Sequence, residues 1–263
     1  MTAPLNSDSC FPFHPIVSKP SREYIYGINP CFEVVRAGRR KVYEAYLNQA
    51  TRNNPRLKKL VTLLERKEIP VNWVEKGRLI DLSKSRENQG AVIKASPYWY
   101  VDYEPLYADS RVLLLDNVED PHNVGGILRS AEIFGFNSVF LPHKGVPEVY
   151  PSIVKVSAGA SEFMQIARSR SANQYVKRAL EEGFTIAALD AKGDTSLDDI
   201  EPGSIDKLLL VIGGEDKSVG QFILNEAQIV LRIPQVGRIN SLNASVAAGI
   251  AMHTMAKAVK NHG

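Results

Sequence analysis

Four apolar runs of four or five residues, at 112–115, 138–141, 185–189 and 208–212, constrain this chain more than any other feature. Each is too short for a helix and is followed at once or within a few residues by glycine, aspartate or asparagine. Stretches of helical length lie between them. Continuous apolar strands separated by helices are the pattern of a parallel sheet covered on both faces. An open sheet of that kind holds ligands beyond the carboxyl ends of its strands, so the loops after these runs are where chemistry-bearing residues are expected.

Three stretches answer that description. After the first run comes 116–132, in which Asn123 and Arg129 are six apart across the start of a helix and Gly125-Gly126 lies between them. If Asn123 sits in the capping loop, the long Arg129 side chain can reach back to the same cleft. Two helical glycines cost about 1 kcal/mol each against alanine, which suits a place where something packs very close. After the fourth run comes Gly213-Gly214-Glu215, a backbone open to close approach followed by a carboxylate acceptor. The third stretch begins at Ile233. Pro234, Gly237 and Asn240 break regular structure there, and Ser241 or Asn243 can cap a following helix of Ala, Gly, Ser and Val over 244–258. Neither G-x-G-x-x-G nor a phosphate loop occurs, which argues against dinucleotide and nucleoside-triphosphate chemistry.

Upstream, residues 1–21 have no period and read as a flexible tail. A small α/β unit follows over 22–96. Asn29-Pro30 and Asn54-Pro55 read as cap-and-proline helix starts, Gly38 as a helix stop, and 25–26, 41–47, 71–74 and 89–95 as strands of an alternating βαβ sandwich. The aromatic, proline-containing segment 97–109 reads as a linker to a second unit over 110–263.

The formal charge is only +3, yet residues 22–67 hold 11 Lys or Arg against four Glu, a local +7. A basic region on a near-neutral body suggests a polyanion, with Arg36, Arg39, Arg40 and Lys41 as RNA-binding candidates. No apolar run reaches the roughly 20 residues needed to span a bilayer, and neither a signal nor a transit peptide is visible, so a cytoplasmic protein off the membrane is expected. Cys10, Cys31 and five scattered histidines lack metal-ligand spacing, and no metal is expected.

Taken together, Asn123-Val-Gly-Gly-Ile-Leu-Arg129, Gly213-Gly-Glu215 and the stretch from Ile233 through Asn240-Ser-Leu-Asn-Ala-Ser-Val-Ala-Ala248 resemble the three motifs of the SpoU (TrmH) branch of SPOUT RNA methyltransferases, in order and in spacing. Gly27-Ile-Asn-Pro and Asn88-Gln-Gly-Ala-Val are similar to the L30e-like substrate-binding domain of that branch's rRNA 2′-O-methyltransferases. Two departures are Asp216, where the family commonly has glycine, and Asn29, where histidine is frequent.

The resemblance implies an α/β chain: a parallel-sheet SPOUT domain with a deep trefoil knot, preceded by the small L30e-like domain. It implies S-adenosylmethionine held by Gly213, Ile233 and Leu242, with Gly214 and Asn243 close by. Arg129, Asn123, Glu215, Ser241 and Asn243 are the implied polar groups at the reacting centre, and a homodimer through the C-terminal domain is implied as well. Because arginine keeps its proton in nearly all sites, Arg129 is read as an electrostatic and positioning group. The expected reaction is 2′-O-ribose methylation of a guanosine in large-subunit rRNA. An rRNA adenosine, tRNA, or a non-catalytic RNA-binding role on the same fold are the alternatives.

Overall fold

The computed structural model describes residues 22–215, 217–238 and 241–260; the readings of 1–21, Asp216 and Asn240 lie outside them. β1 (Glu23–Tyr26) turns at Gly27, whose φ of 98° suits glycine, into α1 (Ile28–Ala37). The sequence placed the cap at Asn29. Gly27 takes that position instead, because its amide is tied to the Ala91 carbonyl at 2.9 Å and the chain must swing directly from the strand into the helix. Gly38 ends α1 in the left-handed conformation, as its position predicts. β2 (Val42–Asn48) leads to α2 (Pro55–Arg66), where the Asn54 side chain accepts from the Arg56 amide at 2.9 Å. β3 (Val71–Val74), α3 (Lys76–Ser83) and β4 (Ala91–Ala95) complete the unit.

Its sheet has the order β1-β4-β2-β3, and only β2 and β3 are parallel. This differs from the alternating βαβ sandwich expected. β4 re-enters between β1 and β2 and runs antiparallel to both, a pairing that periodicity within one strand cannot reveal.

Residues 97–109 carry a short 3-10 helix, Glu104–Ala108, and their tyrosines are anchors. Tyr98 donates to the Ser161 carbonyl at 2.8 Å, Tyr100 accepts the Val149 amide at 2.8 Å, and buried Tyr107 donates to the Tyr175 carbonyl at 3.0 Å. The segment lacks a period because each ring fills its own slot.

The C-terminal unit is built from β5 (Arg111–Asp116), α4 (Pro121–Ile133), β6 (Ser138–Phe140), α5 (Pro151–Val156), β7 (Gln165–Ala167), α6 (Ala172–Glu181), β8 (Thr185–Leu189), β9 (Thr195–Ser196), β10 (Leu208–Gly213), α7 (Gln221–Glu226), β11 (Ile229–Arg232) and α8 (Ala244–Ala258). All seven strands are parallel, in the order β7-β6-β5-β10-β8-β11-β9. β7, β9 and β11 escaped the sequence reading because two to four residues are too few to show a pattern. The chain builds outward from β5 through β6 to β7, then crosses to the other side with β8, and β10 later fills the place between β5 and β8, so the order switches there.

The two units share one apolar core and a buried ionic joint. Arg40, 5% exposed, reaches Glu162 at 2.9 Å and Glu23 at 2.8 Å and lies over the Tyr98 ring. Burial pushes the Glu162 carboxyl up, and the Arg40 charge opposes that. Arg39 donates to the Met164 carbonyl, and Arg36 pairs with Glu33 and stacks on Phe163. Of the four cations read as RNA-binding, only Lys41 remains exposed without a carboxylate, beside Tyr43. The burial of Arg40 has a physical cause: the basic run follows α1 where it packs against the 160–164 turn, and buried Glu162 there requires a countercharge. Much of the exposed part of the local +7 sits on α2 and its approach, at Arg52, Arg56, Lys58, Lys59 and Arg66.

Candidate active site

The loops after β5, β8, β10 and β11 meet at the carboxyl edge of the sheet, next to the switch in strand order. Gly213 and Gly214 make the meeting possible. A Cβ on Gly214 would stand 2.0 Å from the Asn117 carbonyl oxygen, and one on Gly213 would stand 2.5 Å from the Val219 amide. The pair is therefore required by the protein's own crossing loops. Gly125 and Gly126 serve likewise: a Cβ there would lie 2.6 Å from Val156 and 2.9 Å from Ser245, so they let α4 press against α5 and α8.

Glu215 ties three loops together. Its Oε1 accepts from Asn123 Nδ2 at 3.1 Å, Asn243 Nδ2 at 2.7 Å and the Ala244 amide at 3.1 Å. Asn243 Nδ2 also reaches Asn123 Oδ1 at 2.8 Å, while Asn243 Oδ1 caps α8 by accepting the Ser245 amide at 3.0 Å. A carboxylate oxygen that accepts from three donors is a rigid joint.

Two cavities share Gly214 and Glu215 as a common wall. The first, about 150 Å³, has an apolar lining of Leu189, Ile212, Ile233 and Leu242, with Ser241, Asp190 and Ser218 as polar groups. The second, about 320 Å³, is polar and lined by Asn117, Glu119, Asp120, Asn123 and Lys217 among others. Asp190, whose Oδ2 accepts from Ser218 Oγ at 2.6 Å, was missed from sequence, although it directly follows a strand run just as Gly213 does. Asp116 was missed too. Its carboxylate accepts the Gly220 amide at 2.8 Å and its carbonyl accepts the Gly214 amide at 3.1 Å, while burial pushes its carboxyl up.

Asn123 is not in the capping loop. Asp120 caps α4 by accepting the His122 amide at 2.9 Å, Pro121 takes the first position, and Asn123 is buried in the first turn. Arg129 is exposed and makes no hydrogen bond or ion pair with any described residue. Six residues at 3.6 per turn leave it roughly 120° around the axis from Asn123, so the two face different directions. Asn123, Glu215 and Asn243 are brought together, Gly213, Gly214, Ile233, Ser241 and Leu242 line the adjoining cavity, and Arg129 stands apart.

A parallel sheet whose loops enclose two adjoining cavities at its switch point, joined to a second α/β unit, has the architecture of a ligand-binding α/β protein. The comparisons narrow this. Residues 110–253 match the SpoU rRNA Methylase family, and residues 24–101 match the family described as RNA 2'-O ribose methyltransferase substrate binding. The chain belongs to the SpoU RNA methyltransferase family, whose cofactor is S-adenosylmethionine. It is 30% identical over 89% of its length, and 76% of the relative's, to a protein described as an uncharacterized tRNA/rRNA methyltransferase of Mycolicibacterium gilvum. Among solved structures, the SpoU methyltransferase AviRb from Streptomyces viridochromogenes, in complex with AdoMet, is similar in fold at a TM-score of 0.72, with 20% identity and 90% of each chain covered. An AdoMet-bound rRNA methyltransferase from Sinorhizobium meliloti has a TM-score of 0.70 at 21% identity, covering 89% of this chain and 86% of that one.

Proposed function

We propose that this chain methylates a ribose 2′-hydroxyl of RNA, and that its substrate is a guanosine in large-subunit rRNA. The observation that carries the reading is the pair of cavities sharing Gly214 and Glu215: an apolar slot sized for an adenosyl group beside a polar recess for a nucleotide. The match of 24–101 to a 2'-O ribose methyltransferase substrate-binding family supports the ribose and the RNA. A cytoplasmic location and the trefoil knot belong to the same reading.

The residues fit the cofactor. Leu189, Ile212, Ile233 and Leu242 offer the apolar walls an adenine ring needs, and Gly213 and Leu242 line the same slot and would offer it backbone polar groups. When bound, S-adenosylmethionine would supply an electrophilic methyl, its sulfur–methyl bond breaking to leave S-adenosylhomocysteine as the ribose oxygen takes the methyl and gives up its proton to water. Glu215, held by three donors, keeps the two cavities in register. Asn123 and Asn243 orient it, and Ser241 stands at the mouth of the slot. Charge developing on the oxygen calls for a fixed donor, and Arg129 is the group suited to it.

Arg129 reaches that position in a homodimer. α4 and α8 pack in step, Gly126 on Ser245, Ser130 on Gly249 and Phe134 on His253. Beside that seam Ile133, Val246 and Ile250 are 65%, 51% and 41% exposed, an apolar ridge suited to a second copy. Arg129 lies one turn before Ile133 on the same helix face, so pairing would carry it towards the partner's cavities.

Mapping ribose methylation on rRNA and tRNA from cells with and without this protein tests the function. Loss of one 2′-O-methylguanosine from large-subunit rRNA is expected. Loss from an adenosine or from tRNA would move the substrate, and no loss from any RNA would sink the reading.

A further inference from the structure

The carboxyl edge of the sheet continues past the two cavities. β6 and β7 lie beyond β5, and the loops that follow them, 141–150 and 168–171, stand beside the polar recess. Their junction with it is close: a Cβ on Gly145 would sit 3.0 Å from Asn117 Oδ1. The two loops are laced into one shelf. The His143 amide donates to the Arg170 carbonyl at 3.2 Å, and the Arg168 guanidinium donates to the Pro142 carbonyl and, at 3.2 Å, to the His143 carbonyl.

The shelf is basic and carries aromatic rings. Lys144 and Arg170 are exposed, and neither has an ion-pair partner among the described residues. Arg170 lies over the Tyr103 ring, 5.0 Å from its centroid, and donates to its hydroxyl at 3.2 Å. Tyr150, 48% exposed, stands at the end of the first loop. The one carboxylate on these loops, Glu148, is half-buried. Surface cations without a carboxylate partner among the described residues, interleaved with rings and continuous with a nucleotide-sized recess, match the chemistry of an unpaired RNA strand: phosphates for the cations, base faces for the rings.

We propose that the single-stranded RNA flanking the target nucleotide runs over this shelf, with Lys144 and Arg170 on its phosphates and Tyr150 offering a stacking face. This rests on the reading of the chain as an RNA methyltransferase and adds a contact surface on the catalytic unit itself, separate from the N-terminal domain.

The test is a titration of the full chain with a fluorescent 20-nucleotide oligouridylate over a series of salt concentrations. A Lys144→Glu, Arg170→Glu double variant should bind about tenfold more weakly at low salt, and its log–log salt slope should fall by about 1.4, two contacts at about 0.7 per phosphate on a single strand. Both side chains are exposed and Arg170 gives up only a surface contact to Tyr103, so the thermal midpoint should stay within a few degrees of wild type and S-adenosylmethionine affinity should match it. With 4-thiouridine in the oligomer, crosslinks should fall on the peptides holding 143–150 and 168–171. Unchanged affinity and slope, or crosslinks confined to α2, would overturn the proposal. An equal loss on a duplex of the same length would overturn its single-strand part. The readout is binding, so a chain that binds in this way and methylates nothing would defeat the proposed function and leave the shelf in place.

Discussion

Asn243 Nδ2 donates to Glu215 Oε1 at 2.7 Å, while the Oδ1 of the same asparagine accepts the Ser245 amide at 3.0 Å. One side chain thus caps α8 and locks the loop after β10. The two jobs separate by substitution. Asn243→Ala should lose the cap, about 1 kcal/mol or a few degrees of Tm, and also loosen Glu215. Asn243→Asp retains a capping oxygen but sets a second carboxylate against Glu215, so it should keep more of the Tm and lose more cofactor affinity, on the order of tenfold. Calorimetric titration with S-adenosylmethionine beside thermal melts distinguishes them; identical behaviour of the two variants would refute the division.

Arg129→Ala should leave S-adenosylmethionine affinity unchanged and lower the single-turnover methylation rate by about two to three orders of magnitude, the scale of one preorganised donor. If Arg129 serves the partner's cavities, mixing Arg129→Ala with Glu215→Ala protein should restore about a quarter of wild-type activity, since half of the dimers are mixed and each has one complete site. No recovery on mixing would place Arg129 in its own protomer's site or outside any site.

Gly214→Ala puts a Cβ 2.0 Å from the Asn117 carbonyl, whereas a Cβ on Gly237 meets nothing within 4 Å. The first substitution is expected to push apart the loops after β5 and β10 and to weaken cofactor binding by at least about tenfold. Gly237→Ala should bind as wild type does. Equal affinities in titration would show that the crossing of these loops does not shape the slot.

Arg40→Ala strands Glu162 and Glu23 at the joint between the units. A loss of about 3–5 kcal/mol is expected, read as a fall in the urea midpoint. The salt slope of RNA binding should stay at its wild-type value, because Arg40 is buried. A reduced slope with unaltered stability would return Arg40 to the RNA surface.

Burial raises the Asp116 carboxyl above its ordinary value, the Gly220 amide opposing it. The native state therefore holds this proton more tightly than the unfolded chain, and stability falls as pH rises between the ordinary carboxylate range and the raised value. Asp116→Asn keeps an acceptor for Gly220 and removes the ionisation. Its Tm should gain on wild type as pH is raised from 4 towards 7, and a constant difference across that range would contradict this account.

Much of this protein can be read along the chain. Apolar runs end within one residue of the ends of β5, β6, β8 and β10, and Asn54-Pro55 and Gly38 mark helix boundaries because caps act within a few residues. Asn123, Glu215 and Asn243 could be singled out because they are polar groups in the loop-to-helix stretches that follow strands. Other features depended on contacts distant in sequence. Arg40 reads as a free cation until Glu162, 122 residues later, is folded against it. The glycine pairs read as ligand contacts until Asn117, Val156 and Ser245 are found filling the space. Arg129 reads as a neighbour of Asn123 until the helix begins at Pro121 and turns it away. Local hydrogen bonding and periodicity are encoded within a turn or two of chain, whereas a buried charge's partner, a strand's position in a sheet and a side chain's facing are set by what packs against them, and only the tertiary structure decides those.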